Sequence, residues 1–461
     1  MAGSLKEIRT GRTFGLLFAV ALCSFAAADD VKISADSLRG HLSFIASDLL
    51  EGRNTPSRGL DLAAEYIAAQ FRRAGLEPIG DDGYFQTATM SVREQNPQGF
   101  EMSVTTGSKT LRIEPGEAAI LTEKRIELDN VPIAIEPKDP AGKVVLVTSR
   151  SRANVTGAAL VLYLAVNGTR PYVFDPLTAQ RPPLRAAVSS PELADFLKGA
   201  DDARITLHVE PFVERQVKVR NVAGVLRGSD SALRDTYVLL TAHYDHVGMR
   251  ETGDDKIFNG ANDDGSGTVS VIEIASAIAA MNPRPQRSIV FMTFFGEELG
   301  MVGSRYYARH PLVPLEKTVA HLNLEQLGRT DDSEGPQVGE AVVTGFDFSS
   351  MTQTLVAAGK QADVNIHNRP HSDQYFSQSD NLPLAEAGVP AHTLGVSFEF
   401  PDYHGVGDEW QKIDYANMAK IDRAVALGLL HLASEATPPK WDDSVEAAKK
   451  YVEAGKKLTG R

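Results

Sequence analysis

The feature that most limits what this chain can fold into is an alternation in its second half. Short apolar runs at 237–241, 288–295, 318–324 and 391–396 take turns with segments of helical periodicity at 268–281, 304–309 and 348–359. In the first of those segments Val269, Ile272, Ile274 and Ile278 supply the apolar stripe. Such an order predicts an α/β fold: a mostly parallel central sheet flanked by helices on both faces. Ligand chemistry in sheets of this kind gathers at the carboxyl ends of the strands.

Four of these predicted strands run out into residues that bind metals. The first continues into His243-Tyr244-Asp245-His246, the second into Gly296-Glu297-Glu298, the third into Glu325, and the last leads toward Asp402-Tyr403-His404. Between the first two lies Asn259-Gly260-Ala261-Asn262-Asp263-Asp264-Gly265-Ser266-Gly267, a turn before a helix. Taken singly, each has an ordinary explanation: a hydrogen-bonded histidine, acids at a helix start, an Asx turn. Their recurrence at four strand ends of one sheet predicts instead that two histidines and three carboxylates converge on one rim.

The single cysteine, Cys23, leaves no thiolate framework, so any metal here is held by His, Asp and Glu. Imidazole with carboxylate suits zinc, with cobalt or manganese as substitutes. Five donors exceed what one catalytic zinc with an open position takes, but they suit two ions sharing a carboxylate. Such a pair, roughly 3.5 to 4 Å apart, clamps a hydroxide and polarises a carbonyl. A spare carboxylate is then required to take the proton from that water.

The first 28 residues place Lys6, Arg9 and Arg12 before an apolar stretch from Phe14 to Phe25 and then Ala26-Ala27-Ala28, the order of a secretory signal peptide. The apolar stretch falls short of the roughly 20 residues a membrane span requires. Export to the periplasm or the medium is therefore expected, with lipid attachment at Cys23 as a weaker alternative because Leu22 precedes it. No later stretch is apolar enough to span a membrane. A net charge of −13 argues against nucleic acid as a partner.

Residues 37–70 carry helical periodicity in two pieces around a turn at 51–59. Residues 115–207 change character, with short apolar runs broken by Gly, Pro and Asn, and read as an inserted small α+β domain. The expected division is a signal at 1–28, a catalytic domain split between 29–114 and 208–436, an insert at 115–207, and a helical tail at 437–461.

The ordered set His243-Tyr244-Asp245, Gly260 through Gly267, Gly296-Glu297-Glu298 and Tyr403-His404 resembles the motifs of the M28 family of zinc peptidases. The likeness extends to Leu50-Glu51-Gly52-Arg53, Gly75-Leu76-Glu77-Pro78, Asn221-Val222-Ala223-Gly224 and the stretch from Ser379-Asp380 to Gly388-Val389-Pro390. The resemblance implies two zinc ions bridged by Asp263, with His243 and Glu325 completing one site and Glu298 and His404 the other. It implies Glu297 as general base and Asp245 as the group orienting His243. It further implies a cis peptide after Asp263, and an insert similar to the protease-associated domain that overhangs the site. The sequence departs from the family at Glu325, where Asp is usual, and at Gly405-Val406-Gly407-Asp408 after His404. A tyrosine that polarises the substrate carbonyl in some relatives aligns here with Phe376, beside Tyr375, which leaves the oxyanion donor open.

The implied activity is a two-zinc exopeptidase, an aminopeptidase acting on N-terminal peptide bonds. Three alternatives stand beside it: a single-zinc glutaminyl cyclase, a carboxypeptidase, and a noncatalytic binding ectodomain. The preferred side chain and the oligomeric state are not legible in these residues.

Overall fold

The apolar runs of the second half pair side by side in the middle of the main sheet, and the sheet departs from parallel order at its margins. The computed structural model describes residues 31–460 apart from 121, 136, 148–154, 165–172, 175–184, 189–190, 198–199, 201, 251–252 and 370, so the expected signal at 1–28 lies outside the described residues. The main-sheet strands used below are β1 (Phe85–Glu94), β2 (Val213–Leu226), β3 (Tyr237–His243), β4 (Ser288–Phe294), β5 (Thr318–Glu325), β6 (Glu340–Val343), β7 (Asn365–His367) and β8 (Ala391–Gly395). They lie in the order β7-β6-β8-β5-β3-β4-β2-β1.

The four central strands β8, β5, β3 and β4 are parallel, and their register brings the carboxyl ends together. The flanks are antiparallel: β2 runs against β4, β1 against β2, and β6 against β8. The outermost pair, β6 and β7, is parallel again, so the sheet is mixed around a parallel centre. The parallel centre follows from burial on both faces. Along β3, Val238, Leu240 and Ala242 enter one core while Tyr237 and Leu239 enter the other, and β4 divides Ile289 and Phe291 from Val290, Met292 and Phe294 in the same way. That alternation inside an unbroken apolar run is the two-faced pleat of a covered strand.

The first face is covered by helices α1 (Ala35–Ile45), α2 (Arg58–Arg73), α3 (Gly267–Ala279), α4 (Met351–Gln361) and α5 (Tyr415–Ser434). Ser34 and Ser57 cap α1 and α2 by accepting from the backbone of Ser37 and Leu60, which sets where each helix begins. On the second face the C-terminal helix Lys449–Thr459 buries Tyr451, which stacks on Trp441 with ring centroids 5.1 Å apart. Trp441 Nε1 in turn donates to the Gly388 carbonyl at 3.1 Å, so the tail packs onto the main domain.

A second sheet of eight strands is built from residues between 101 and 209 and has its own core, including Val104, Ile113, Leu146, Leu162, Ile205 and Leu207. It begins ahead of the expected boundary at 115. Strand Glu101–Thr106 pairs with Arg204–Val209, and Met102 and Val104 lie in that second core. Residues 101–113 and 204–209 thus close the insert as antiparallel neighbours, a long-range pairing that no local change of composition marks.

Arg53 ties the N-terminal segment to the carboxyl-end side of the sheet. Its guanidinium is fully buried and donates to the carbonyls of Ile45, Tyr244, Asn259 and Gly260 at 2.6 to 2.9 Å. Burial lowers its pKa to about 10, against the pull of Asp245, Asp408, Asp263 and Asp264. Replacing it by methionine strips four buried carbonyls of their donor. Arg53→Met is expected to cost about 3 to 5 kcal/mol, since four buried carbonyls lose their donor at roughly 1 kcal/mol or more each, read as a lower melting midpoint. An unchanged midpoint contradicts this account of the linkage.

Candidate metal and catalytic centre

The sheet's geometry explains why distant residues meet. β3 ends at His243 and β5 at Glu325, two strands in direct parallel register, while β4 on the other side of β3 runs on through Phe295 and Gly296 to Glu297 and Glu298. Gly296 sits at φ 68°, a left-handed turn that lets the chain leave the strand end abruptly. Asp263 arrives from the loop ahead of α3, and His404 from the segment that follows β8.

The five expected donors fall into two groups that share Asp263. In one, His243 Nε2 lies 3.4 Å from Asp263 Oδ1 and 3.6 Å from Glu325 Oε1. In the other, His404 Nε2 lies 3.1 Å from Asp263 Oδ2 and 3.2 Å from Glu298 Oε2. Each oxygen of Asp263 thus faces a different histidine. Donor atoms of each group lie within 4.8 Å of one another, and His246 joins the second group on that criterion. Except for His404, these side chains are almost entirely enclosed.

Burial sharpens the electrostatics. Desolvation opposes charge on His404, but the hydrogen bonds it donates to Asp263 and Glu298 overcome it and push its pKa up to about 10. Desolvation and Asp263 raise Glu298, yet its close contacts with His246 and His404 bring it down to about 2. Glu297 belongs to neither group. Burial holds its pKa well above the usual carboxylate range, with His243 opposing and Glu325, Asp380 and Glu298 adding to the effect. Asp264 and Asp380 are raised by burial as well, Asp380 to about 7. A buried site with several carboxylates driven toward their protonated forms holds more negative charge than its own cations offset. That surplus, together with the imidazole and carboxylate donors of the two groups, fits divalent zinc.

A layer of fixed polar contacts supports the donors. His243 Nδ1 faces the backbone carbonyl of Asp245 at 3.1 Å and its carboxylate Oδ1 at 3.4 Å. That same oxygen accepts from the Glu297 amide at 3.1 Å, so Asp245 orients both the histidine and the spare glutamate. Glu325, with one methylene more than the usual Asp, is held by Ser379 Oγ, which donates to Oε1 at 2.6 Å. The Asp263–Asp264 peptide is cis.

Three contributors lie outside the expected set. Asp408 accepts from the amides of Asn262 and Asp263 at 2.9 to 3.0 Å and so fixes the loop that carries the shared carboxylate. His246 is completely buried, with Nδ1 2.8 Å from Glu298 Oε1. Tyr403 stacks on His404 with centroids 4.2 Å apart. Its pKa is raised by burial and by Asp263, Glu298, Glu325 and Glu297, so its hydroxyl stays a donor. The sequence offered signals for the first two, in the Asp408 of the divergent loop and the histidine next to Asp245, but nothing there told where either side chain points. Phe376 is buried in the second-face core against Phe348 and Tyr451, away from the cleft, whereas Tyr375 and Tyr403 line it.

The donors open into a cleft of about 450 Å³ walled by Tyr375, Phe398, Phe400, Tyr403 and Glu399 among others. Among the described residues that line it there is no lysine or arginine. Tyr375 stacks on Phe398 at 5.0 Å and donates its hydroxyl to Glu399 at 2.5 Å, while Ser333 donates to the other carboxylate oxygen at 2.8 Å. These two hydrogen bonds lower the Glu399 pKa. Arg369, on the adjoining hollow, faces Asp332 and Glu334 at 3.6 Å each.

Comparison with known proteins points to a peptidase family. Residues 221–428 match the model of peptidase family M28. Probable glutamate carboxypeptidase VP8 of Zea mays is 28% identical over 210 residues, which are 42% of this chain and 27% of that protein. Aminopeptidase YwaD of Bacillus subtilis is 30% identical over 185 residues, 40% of this chain and 36% of that one. The chain thus spans well under half the length of these curated relatives. The fold also matches the solved zinc aminopeptidase BSAP of Bacillus subtilis, with a TM-score of 0.63 at 19% identity, covering 88% of this chain and 96% of that structure. Residues 221–428 of this chain are thus similar to peptidase family M28.

Proposed function

We propose that this chain is an exported two-zinc aminopeptidase that hydrolyses the N-terminal bond of peptides, with the protease-associated-like insert restricting access. His243, Asp263 and Glu325 would hold one ion, and Asp263, Glu298 and His404 the other. Zinc, when bound, supplies the Lewis acidity that polarises the scissile carbonyl and acidifies water. Glu297 takes the proton from the attacking water and later delivers it to the departing amine, a role that its raised proton affinity suits. Asp245 keeps Glu297 and His243 in position, and Tyr403 offers its hydroxyl to the carbonyl oxygen from the rim.

The observation that carries the aminopeptidase direction is the charge of the cleft. A carboxypeptidase must pair the terminal carboxylate of its substrate with a cation, but the described lining presents Asp263, Glu297, Glu325 and Glu399 and neither lysine nor arginine. Arg369 nearby is engaged by two acids. An α-ammonium group suits that lining. Among the described residues no helix is long and apolar enough to cross a membrane.

Three outcomes test the reading. Aminoacyl anilides with a free amine are expected to be cleaved, N-blocked peptides refused, and activity lost to chelator and restored by zinc, with a melting temperature that climbs with free zinc. Cleavage confined to blocked peptides from the carboxyl end reverses the direction, and cyclisation of an N-terminal glutamine with one zinc per chain selects the cyclase. Glu297→Gln is expected to retain both zinc equivalents while kcat falls by more than about 10²-fold. Activity close to that of the parent removes Glu297 from the mechanism. Finally, N-terminal Asp or Glu substrates are expected to show a lower kcat/KM than Leu or Lys, and Glu399→Gln to narrow that gap. A gap of unchanged size excludes Glu399 as its source.

A further inference from the structure

His246 stands out as a completely buried side chain that none of the roles above employs. Its ring lies edge-on to His404, with centroids 5.4 Å apart and planes at 78°. Its Nδ1 stands 2.8 Å from Glu298 Oε1 and 4.0 Å from Asp263 Oδ2. Neither ring nitrogen of His246, nor Glu298 Oε1, has an aligned hydrogen-bond partner. The ring is also wedged in place. A Cβ on Gly260 would come within 2.5 Å of its Cγ and Cδ2, so the glycine at φ 57° makes the room that the imidazole fills. Its own backbone amide donates to the Arg53 carbonyl at 3.2 Å.

Such a histidine has two possible roles, ligand or anchor, and distances separate them. Two donors on one tetrahedral zinc, with bonds of about 2.0 to 2.2 Å, stand about 3.3 to 3.5 Å apart. His404 comes close to that spacing with both Asp263, at 3.1 Å, and Glu298, at 3.2 Å. His246 misses it on both sides, too near Glu298 and too far from Asp263. A separation of 2.8 Å is hydrogen-bond length for a charge-assisted N–H···O contact.

We propose that His246 is the positioning residue of the second metal site: its Nδ1–H holds Glu298 Oε1 and leaves Oε2 turned toward His404 and Asp263. The assignment rests on the two-zinc reading given above. It places the Nδ1 proton on a buried ring and makes the orientation of Glu298 depend on it. A carboxylate on a glutamate arm has rotatable bonds that Asp263, held by backbone contacts, lacks, so this ligand has the most to gain from an anchor.

The test uses the full-length protein, stripped of metal and titrated with zinc against a chromophoric chelator, then with cobalt. In His246→Ala one of the two zinc equivalents is expected to bind about 10- to 100-fold more weakly while the other is unchanged. At saturation cobalt still reaches two per chain. His246→Asn, whose side-chain amide can offer an N–H near the place of Nδ1, is expected to recover most of the lost affinity. Unchanged zinc affinity in His246→Ala overturns the proposal. So does a saturating cobalt stoichiometry of one that His246→Asn fails to raise, the result for a ligand. Glu298→Ala serves as the reference and must lose one equivalent. If it retains both, the metal-site reading fails, and the anchor role with it.

Discussion

The centre of this molecule is organised around one carboxylate. Asp263 presents Oδ1 to His243 and Oδ2 to His404, so the two donor groups are a single unit that meets at one side chain. Its placement is fixed through the backbone rather than through its own arm. Asp408 grips the amides of Asn262 and Asp263, and Asn262 Oδ1 accepts from Gly328 and Arg329 beyond β5. Asp264 Oδ1 accepts from Gly267 and Gln326. Arg53 holds the carbonyls of Asn259 and Gly260 just ahead of the turn. The loop is therefore bonded to the N-terminal segment, to the end of β5 and to the segment after His404 at once, and a shift in any of these reaches both donor groups.

That arrangement concentrates acid where water is excluded. Asp264, Glu297 and Asp380 are driven upward by burial, and Asp408 is raised to about 6 against two hydrogen-bonded amides. Buried like charges without compensation are costly, so the same constellation that specifies a dication site destabilises the protein without the ions. Binding energy and folding energy are consequently linked in the main domain. The chain's acidic excess has the same sign as this local surplus, but it is these few enclosed groups that carry the chemical meaning.

How far the molecule was legible in its sequence differs between its parts for physical reasons. β3, β4, β5 and β8 could be read because strands buried on both faces are written as unbroken apolar runs, and His243, Glu298 and Glu325 lie at or just beyond their ends. The antiparallel margins and the opening of the insert at Glu101 depend on pairing between residues about a hundred positions apart, as in Glu101 with His208. Nothing local encodes that. His246 and Asp408 escaped for another reason. Beyond a strand end the period of two no longer governs side-chain direction, and Asp408 acts on backbone amides 145 and 146 residues away. A carboxylate that serves main-chain donors leaves no metal-type spacing to recognise.

The neighbouring acids Glu297 and Glu298 show how local geometry divides labour between two identical side chains. They begin a single 3-10 turn, Glu297–Leu299, entered through Gly296 in the left-handed region. With three residues per turn, consecutive side chains point about 120° apart. One acid is thereby sent into the His404 and Asp263 group, where histidine contacts hold its pKa down to about 2. The other stops 4.0 Å from His243, outside both groups, where burial and surrounding carboxylates raise its affinity for a proton. In an α-helix a 100° step would separate them less, and in an extended strand they would fall on opposite faces of the sheet. The short turn is what gives two acids adjacent in sequence such different surroundings within one cavity.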